Sequence, residues 1–281
     1  MTAAVAPGPL SSHGAEIERD GLGERLAAAG RQALPGTLGF VGFLIVWEIV
    51  GRVTSSGRPI PLIPSFSSVI GAILDDGWTY YGPNISTTMG YAIAGWVIGN
   101  ALAVIIAAPV TIFPWLEGFV LQLGVTTYCL PLVAVAPIMF TVYEGAVPYV
   151  AMSVLFVLFI TLVLVLSGLK SADPTSLDVV RAYGGGRVQG LLRVRLIAAL
   201  PSLFAGLKIA APAAVLGAVL AEFFQPADSG LGVGIIRSQQ QLEIPRTWGI
   251  ALVTTLIGAA VYLMTGLVGR LVTPWAPKAE V

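Results

Sequence analysis

The sequence predicts an all-α polytopic membrane protein with six transmembrane helices, and two observations support that prediction. Of its 281 residues, 56% are hydrophobic and only 11% are charged, whereas soluble domains are about 45–50% apolar and about 25% charged. Six stretches are also apolar over the length of about 20 residues that a helix needs to cross the hydrocarbon core. These observations exclude an ordinary soluble enzyme, a disordered chain and a disulfide-bonded scaffold.

The six predicted spans occupy residues 37–53, 84–108, 116–142, 147–169, 200–224 and 248–272. With the N-terminus inside, ten Lys and Arg residues fall in the inner segments and four in the outer ones. Cytoplasmic segments carry the excess of basic residues, so both termini are expected in the cytoplasm. Residues 1–34 are expected to form a mobile cytoplasmic tail with a short helix near residues 21–31. Residues 35–276 form the transmembrane domain, and residues 277–281 are a C-terminal tail.

The sequence predicts specific structural or functional roles for several residues inside the spans. Gly95 and Gly99 have the spacing that lets helices pack closely, here within one chain. Pro131 predicts a break in the third span. Glu48 and Glu222 are ionisable at membrane depth, which costs about 2.5–3.5 kcal/mol, so both are expected to face a pathway or a partner. For Glu48, which is close to the outer end of its span, the alternative is that it only reaches the membrane interface.

The two longer outer connections differ in pattern. Residues 66–78 have apolar side chains at helical spacing, which predicts an amphipathic helix that lies on the membrane surface or packs on the rim of the bundle. Residues 225–247 contain Ser229 and Gly230 in a polar, glycine-rich stretch. This stretch is expected to be a loop that faces a partner or gates a pathway, with a plain solvated connection as the alternative. Glu222 could also pair with Arg237 or Arg246.

The inner connection, residues 170–199, is the most basic segment of the chain. Asp173 and Pro174 are typical of a helix N-cap and first turn. Leu177, Val180 and Tyr183 mark one apolar face, and a run of three glycines from Gly184 then separates this helix from a second one. No glycine run leads into Lys-Ser or Lys-Thr, so the chain has no phosphate-binding P-loop.

The spacing in this connection resembles the cytoplasmic EAA loop of ABC importer permeases. Asp178, Val179 and Val180 are followed after three residues by Gly184, and after nine more by Val194, Arg195 and Leu196. Further stretches resemble the sulfonate, taurine and nitrate branch of this binding-protein-dependent family. Of these, Ala221-Glu222 followed by Ser229-Gly230-Leu231-Gly232 is the most specific.

The resemblance implies a type I ABC importer permease bundle in a bacterial plasma (inner) membrane. It also implies uptake of a small organic or inorganic anion, such as a sulfonate, taurine or nitrate. The implied partners are two ATPase subunits that bind ATP and Mg, a second permease copy, an external solute-binding protein and the lipid bilayer. No nucleic acid is expected to bind, and this chain is expected to hold no catalytic residue, metal or cofactor of its own.

The resemblance assigns two groups of site residues. The expected ATPase-coupling residues are Leu177, Asp178, Val180, Arg181, Ala182, Tyr183, Gly184 and Arg187. The expected pathway or gate residues are Glu48, Pro131, Glu222, Ser229 and Gly230.

Three other functions are alternatives to transport driven by a separate ATPase. A self-powered secondary carrier would commonly show two related halves, and no internal repeat is visible in the sequence. An intramembrane enzyme would show paired carboxylates or a histidine cluster, and the chain has one histidine and one cysteine. If the chain were a purely structural membrane protein, the similarity of its inner connection to the EAA loop in spacing would be accidental. The identity of the solute, and of the second permease subunit, stays open.

Overall fold

The computed structural model describes residues 13–56, 63–224 and 227–275, with side chains from Leu34 onward except at positions 132 and 133. Within these residues the backbone forms helices and no strand. The helices are α1 (His13–Ser55), α2 (Phe66–Ile112), α3 (Leu116–Cys129), α4 (Leu132–Val142), α5 (Val147–Lys170), α6 (Pro174–Ala182), α7 (Arg187–Gly190), α8 (Leu196–Phe224), α9 (Leu231–Gln240) and α10 (Ile244–Val272). The predicted C-terminal tail, residues 277–281, and residues 1–12 of the predicted N-terminal tail lie outside the described residues.

Within the part of the chain that the structure describes, five helices are long and apolar enough to cross a membrane, and the number is six if α3 and α4 together count as one broken span. The two halves of that span are bent by 96° at the break. Pro131 stands at the break with extended backbone (φ −69°, ψ 95°), because proline has no N–H to continue the ladder of α3. The predicted interruption of the third span is therefore confirmed.

The chain divides into two compact parts, residues 1–67 and residues 68–281. In the first part, the Trp47 indole donates to the Pro64 carbonyl at 3.1 Å and packs on the Phe66 ring at 5.3 Å. These contacts hold the end of α1 against the segment that starts α2. The helix begins at His13, so the helical backbone extends well beyond the short helix predicted at residues 21–31.

The second part is built on three helices, α2, α5 and α8, that approach each other at glycines. Gly95 and Gly99 of α2 face Ser153 and Val157 of α5, and a Cβ built on Gly99 would lie 2.8 Å from the Val157 side chain. The predicted close packing within one chain is therefore confirmed. α5 and α8 run antiparallel, with Gly168 against Ser202 near one end, Gly206 against Thr161, and Gly217 against Ser153 further along.

Hydrogen bonds between side chains and neighbouring helices reinforce this packing. Thr161 donates to Asn100 Oδ1 at 2.6 Å, the Trp96 indole donates to the Leu207 carbonyl at 3.0 Å, and Ser153 donates to the Ala214 carbonyl at 3.1 Å. Polar side chains at membrane depth need such partners, and each bond of this kind contributes about 0.6 to 2 kcal/mol.

Both outer connections contain a helix, and the sequence predicted the first of these two helices but not the second. The amphipathic helix expected at residues 66–78 is the first part of α2, which bends at Gly77 (φ 57°, ψ −171°) and continues into the second span. Val69 and Ile73 pack against Gly249 of α10, so this segment lies on the bundle rim. The connection expected to be a loop at residues 225–247 contains α9, whose apolar side chains Leu231, Val233 and Ile235 are buried. The alternative prediction for residues 225–247, a plain solvated connection, is therefore wrong.

Gly95→Ala should destabilise the bundle, because the added Cβ would meet the side chain and backbone of Ser153. Overpacking of this kind costs about 1–3 kcal/mol. Thermal unfolding in a mild detergent should show a lower midpoint for this variant. Gly90→Ala is the matched control on the same helix, since nothing lies within 4 Å of a Cβ built there. Equal midpoints for the two variants would contradict the packing described for α2 and α5.

Candidate functional site

The Glu222 side chain is buried at the outer end of α8, with 0% of its surface exposed. Its Oε1 accepts a hydrogen bond from the Thr88 hydroxyl at 2.8 Å, and its Oε2 accepts one from the Gly232 N–H at 2.7 Å. Gly232 lies in the first turn of α9, where backbone N–H groups have no partner within the helix. A carboxylate is favoured at that position because the N-terminus of a helix carries a partial positive charge.

Two further side chains of α2 bind the same end of α9. The Asn84 Oδ1 accepts from the Gly230 N–H at 2.8 Å, and the Thr88 Oγ1 accepts from the Leu231 N–H at 2.9 Å. The local N-cap residue, Gly230, has no side chain that could do this. We call Asn84, Thr88 and Glu222 the outer clamp, because they replace a local cap with groups from two transmembrane helices.

The glycines of this turn make room for the clamp. Gly230 has φ 152°, a conformation that residues with a Cβ rarely adopt, and a Cβ built there would lie 2.6 Å from the Glu222 carboxyl carbon. A Cβ built on Gly232 would lie 2.8 Å from the Glu222 Cβ. Ser229 adds a hydroxyl contact of 2.7 Å to Thr87. The structure thus brings three of the predicted gate residues, Glu222, Ser229 and Gly230, into one cluster.

The predicted pairing of Glu222 with Arg237 or Arg246 is wrong. Arg246 forms ion pairs of 2.9 Å with Asp76 and 3.0 Å with Glu243, and its guanidinium lies 4.4 Å from the Tyr80 ring centroid. Arg237 makes one long hydrogen bond of 3.4 Å to the Asp228 carbonyl. Glu222 instead accepts hydrogen bonds from two uncharged donors, the Thr88 hydroxyl and the Gly232 N–H. The sequence alone does not predict these partners.

A cavity of about 320 Å³ lies beside the outer clamp, between α9 and the part of α2 that follows Gly77. The residues that line it are Thr79, Tyr80, Pro83, Asn84, Asp228, Ser229, Gly234, Arg237, Ser238, Gln241 and Arg246. Asn84 and Ser229 therefore belong both to the walls of this cavity and to the contacts around the clamp.

The other two predicted pathway residues lie elsewhere in the chain. Glu48 accepts hydrogen bonds from the Ser67 N–H at 2.9 Å and the Ser67 hydroxyl at 2.8 Å, and it pairs with Arg52 at 2.6 Å. It therefore holds the start of α2 against α1 within the first part of the chain. Pro131 stands between α3 and α4 and is not part of the outer clamp.

At the inner side, the connection between α5 and α8 begins with a well-defined cap. The Asp173 carboxylate accepts from the N–H groups of Thr175 at 3.3 Å and Ser176 at 3.0 Å, which confirms the predicted N-cap of α6. The hydrogen bond from the Ser176 backbone, aided by the Ser176 hydroxyl, lowers the pKa of Asp173. The carboxylate is therefore charged at neutral pH and loses its cap only as the pH falls through this lowered value.

A Schellman motif at Gly184 follows the last residue of α6, Ala182. The Gly185 N–H donates to the Val180 carbonyl at 2.8 Å and the Gly184 N–H donates to the Arg181 carbonyl at 2.9 Å, which is the hydrogen-bond pattern of that motif. Gly184 has φ 77°, in the left-handed region where a residue with a Cβ is strained. The predicted helix–glycine–helix unit is therefore confirmed.

The three residues of the predicted apolar face of α6 differ in their exposure to solvent. Leu177 and Val180 are half-buried against Gly190 and Gly185 of the same chain. Tyr183, in contrast, is 90% exposed, and two further apolar side chains of this connection, Val179 and Val188, are also exposed. We call Val179, Tyr183 and Val188 the loop surface.

The charged residues of this connection have different roles. Arg181 pairs with Asp178 at 2.8 Å, and both side chains are exposed beside the loop surface, as is Ala182. Arg187 donates to the Ile112 carbonyl at 2.9 Å, so it ties the start of α7 to the end of α2. After α7, a π-helical turn (Leu191–Arg195) leads directly into α8.

Residues 99–276 match the family model described as "Binding-protein-dependent transport system inner membrane component". The chain is 27% identical over 249 residues to the formylaminopyrimidine transport permease protein ThiX of Halalkalibacterium halodurans, covering 88% of this chain and 98% of that one. It is 27% identical to the riboflavin transport system permease protein RibX of Chloroflexus aurantiacus, covering 83% and 86% of the two chains. It is 26% identical to the nitrate import permease protein NrtB of Leptolyngbya laminosa, covering 76% and 77%.

Glu222→Leu should loosen α9, because it leaves the buried Gly232 N–H and the Thr88 hydroxyl without their acceptor. Each unsatisfied buried group costs about 1–3 kcal/mol. Hydrogen exchange followed by mass spectrometry should show faster exchange across residues 231–240. Glu144→Leu is the control, since Glu144 is exposed in the turn after α4. Unchanged exchange of α9 in the Glu222 variant would contradict the capping role of this carboxylate.

Proposed function

This chain belongs to the binding-protein-dependent transport system inner membrane components, and we propose that it is the membrane-spanning subunit of an ATP-driven importer. It is a multi-pass inner membrane protein and a transport subunit, not a catalytic enzyme. In this proposal, ATP and Mg bind to two separate ATPase subunits, and a second copy of this chain completes the pathway. An external binding protein delivers the solute.

The loop surface is the observation that carries this proposal. It lies on the inner connection, where the capped helix α6 holds apolar side chains out of the bundle, with Tyr183 90% exposed. An apolar side chain gains roughly 25 cal/mol per Å² of area removed from water. A tyrosine that is this exposed at a capped helix end is therefore suited to insert into a groove on an ATPase subunit.

The inner connection between α5 and α8 is fixed at several points, so it can transmit a displacement of the loop surface to α8. The ends of α6 are fixed by Asp173 and Gly184, and α7 is tied to α2 through Arg187. The π-helical turn (Leu191–Arg195) then joins α7 to α8 without a loop. A push on the loop surface therefore acts directly on the inner end of α8.

The same helix reaches the outer clamp. α8 extends from Leu196 to Phe224 and carries Glu222 near its outer end. Because Glu222 caps α9, a movement of α8 would carry α9 with it. We propose that α9 and the turn at Ser229 and Gly230 contribute to the outer gate, with Glu222 holding the gate segment in place.

The solute is proposed to be a small molecule, and the names of the relatives refer to solutes of more than one class. Proteins of 26–27% identity bear names that refer to formylaminopyrimidine, riboflavin and nitrate. A small organic or inorganic anion, such as a sulfonate, taurine or nitrate, is the class proposed for this chain.

Gly184→Val should uncouple ATP hydrolysis from transport. A β-branched residue at φ 77° costs about 1–2 kcal/mol of backbone strain, which would shift the end of α6 and with it Tyr183. Reconstituted in liposomes with its ATPase subunits and binding protein, this variant should lose most ATP-driven uptake while ATP hydrolysis persists and the bundle stays folded.

Gly186→Val is the matched control for this test. Gly186 has extended backbone (φ −82°, ψ −177°), and nothing lies within 4 Å of a Cβ built there. Its uptake should stay near that of the unmodified protein. Normal uptake by Gly184→Val would count against the coupling role of the loop. Uptake by the unmodified protein without ATP would favour the alternative, a self-powered secondary transporter.

A further inference from the structure

The turn between α2 and α3 exposes two large aromatic side chains. Phe113 is 50% exposed and Trp115 is 77% exposed, and Pro114 stands between them. The turn is short, because α2 ends at Ile112 and α3 begins at Leu116. Both flanking helices belong to candidate spans, so a connection of this length lies at the edge of the membrane.

Two polar contacts tie this turn to the inner connection between α5 and α8. Before the turn, the Ile112 carbonyl accepts a hydrogen bond from the Arg187 guanidinium at 2.9 Å. After the turn, the Glu117 carboxylate forms an ion pair with Lys170. Lys170 is the last residue of α5 and Arg187 is the first residue of α7, so the two contacts come from either side of α6. The turn therefore lies on the same side of the membrane as the loop surface.

The aromatic turn is flanked by charged groups that reach the solvent. Lys170 and Arg187 are exposed, and Glu117 is partly exposed. An apolar centre with a polar, solvent-accessible rim is the typical arrangement of protein–protein interfaces. Trp, Tyr and Arg are the residues that most often dominate the binding energy of such interfaces. This arrangement favours a protein partner for the turn over lipid chains.

The size of a stable interface indicates which protein this partner is. A specific protein–protein interface usually covers about 800 Å² on each partner, which corresponds to roughly 20–30 residues. The loop surface consists of Val179, Tyr183 and Val188, and it can supply only part of that area. A subunit that docks on the loop surface therefore needs further contacts on the inner face, and the aromatic turn is tied to both flanks of α6.

We propose that the α2–α3 turn is a second contact of this chain with its ATPase subunit, in which Phe113 and Trp115 pack on that subunit. The identity of the partner rests on the proposed importer function. With this contact, a displacement of the ATPase subunit acts on the inner ends of both α2 and α8. These are the two helices of the outer clamp, since α2 carries Asn84 and Thr88 and α8 carries Glu222.

Site-specific photo-crosslinking tests this contact directly. A benzophenone-bearing analogue of phenylalanine replaces Trp115, and the chain is combined in lipid nanodiscs with the P-loop ATPase subunit that co-purifies with it. Illumination should link position 115 to the ATPase subunit, and mass spectrometry identifies the linked protein. Links from position 115 to lipid alone would overturn the proposal.

The same analogue at positions 78 and 183 provides the controls. Trp78 is exposed to the same extent as Trp115, 77%, but it lies in the outer part of α2 and should form no link to the ATPase subunit. Position 183 reports on the loop surface. Links from position 183 without links from position 115 would refute this inference and leave the importer proposal standing. No link from either position would count against the importer proposal, and this inference would fail with it.

Binding measurements with two tryptophan variants give the size of the contribution. Trp115→Ala should weaken binding of the same ATPase subunit to the chain in nanodiscs about tenfold or more, the loss expected when an interface hot spot is truncated. Trp78→Ala should bind the subunit as the unmodified chain does. Because both side chains are exposed, both variants should keep the thermal unfolding midpoint of the unmodified chain. Equal affinity of the two folded variants for the ATPase subunit would contradict the proposal.

Discussion

The buried carboxylate of Glu222 is the constraint on which the outer half of the bundle depends. A carboxyl group without hydrogen-bond partners would be very unfavourable in an apolar interior. Its partners here are the Gly232 N–H and the Thr88 hydroxyl, so the first turn of α9 must stay against α2 and α8. The positive φ at Gly230 and the absence of a Cβ at Gly232 follow from this requirement.

The inner and outer features are connected through one helix. α8 packs closely on α5 at Gly206 and Gly217, and such close-packed contacts transmit displacement rather than absorb it. The π-helical turn that precedes α8 (Leu191–Arg195) is of a type that often marks functional positions in helices. In the proposed mechanism, the loop surface and the outer clamp lie at opposite ends of the segment from α6 to α8.

Local features of the sequence predicted the local features of the structure. The cap at Asp173, the break at Pro131 and the close packing at Gly95 depend on neighbouring residues or on one helix face, and each was predicted correctly. α9 was missed because its N-terminus is capped by Asn84, Thr88 and Glu222. Its own N-cap residue, Gly230, has no side chain that could cap the helix. The partners of Glu222 were also missed, since Arg246 pairs with Asp76, which is 170 residues away.

The importer role is tested most directly by tagging this chain, extracting it from its native membrane in mild detergent and identifying the co-purifying proteins by mass spectrometry. An importer subunit should bring with it a stoichiometric partner that carries a P-loop, the phosphate-binding sequence that this chain lacks. Recovery of the chain alone, with undiminished uptake in vesicles depleted of ATP, would contradict it.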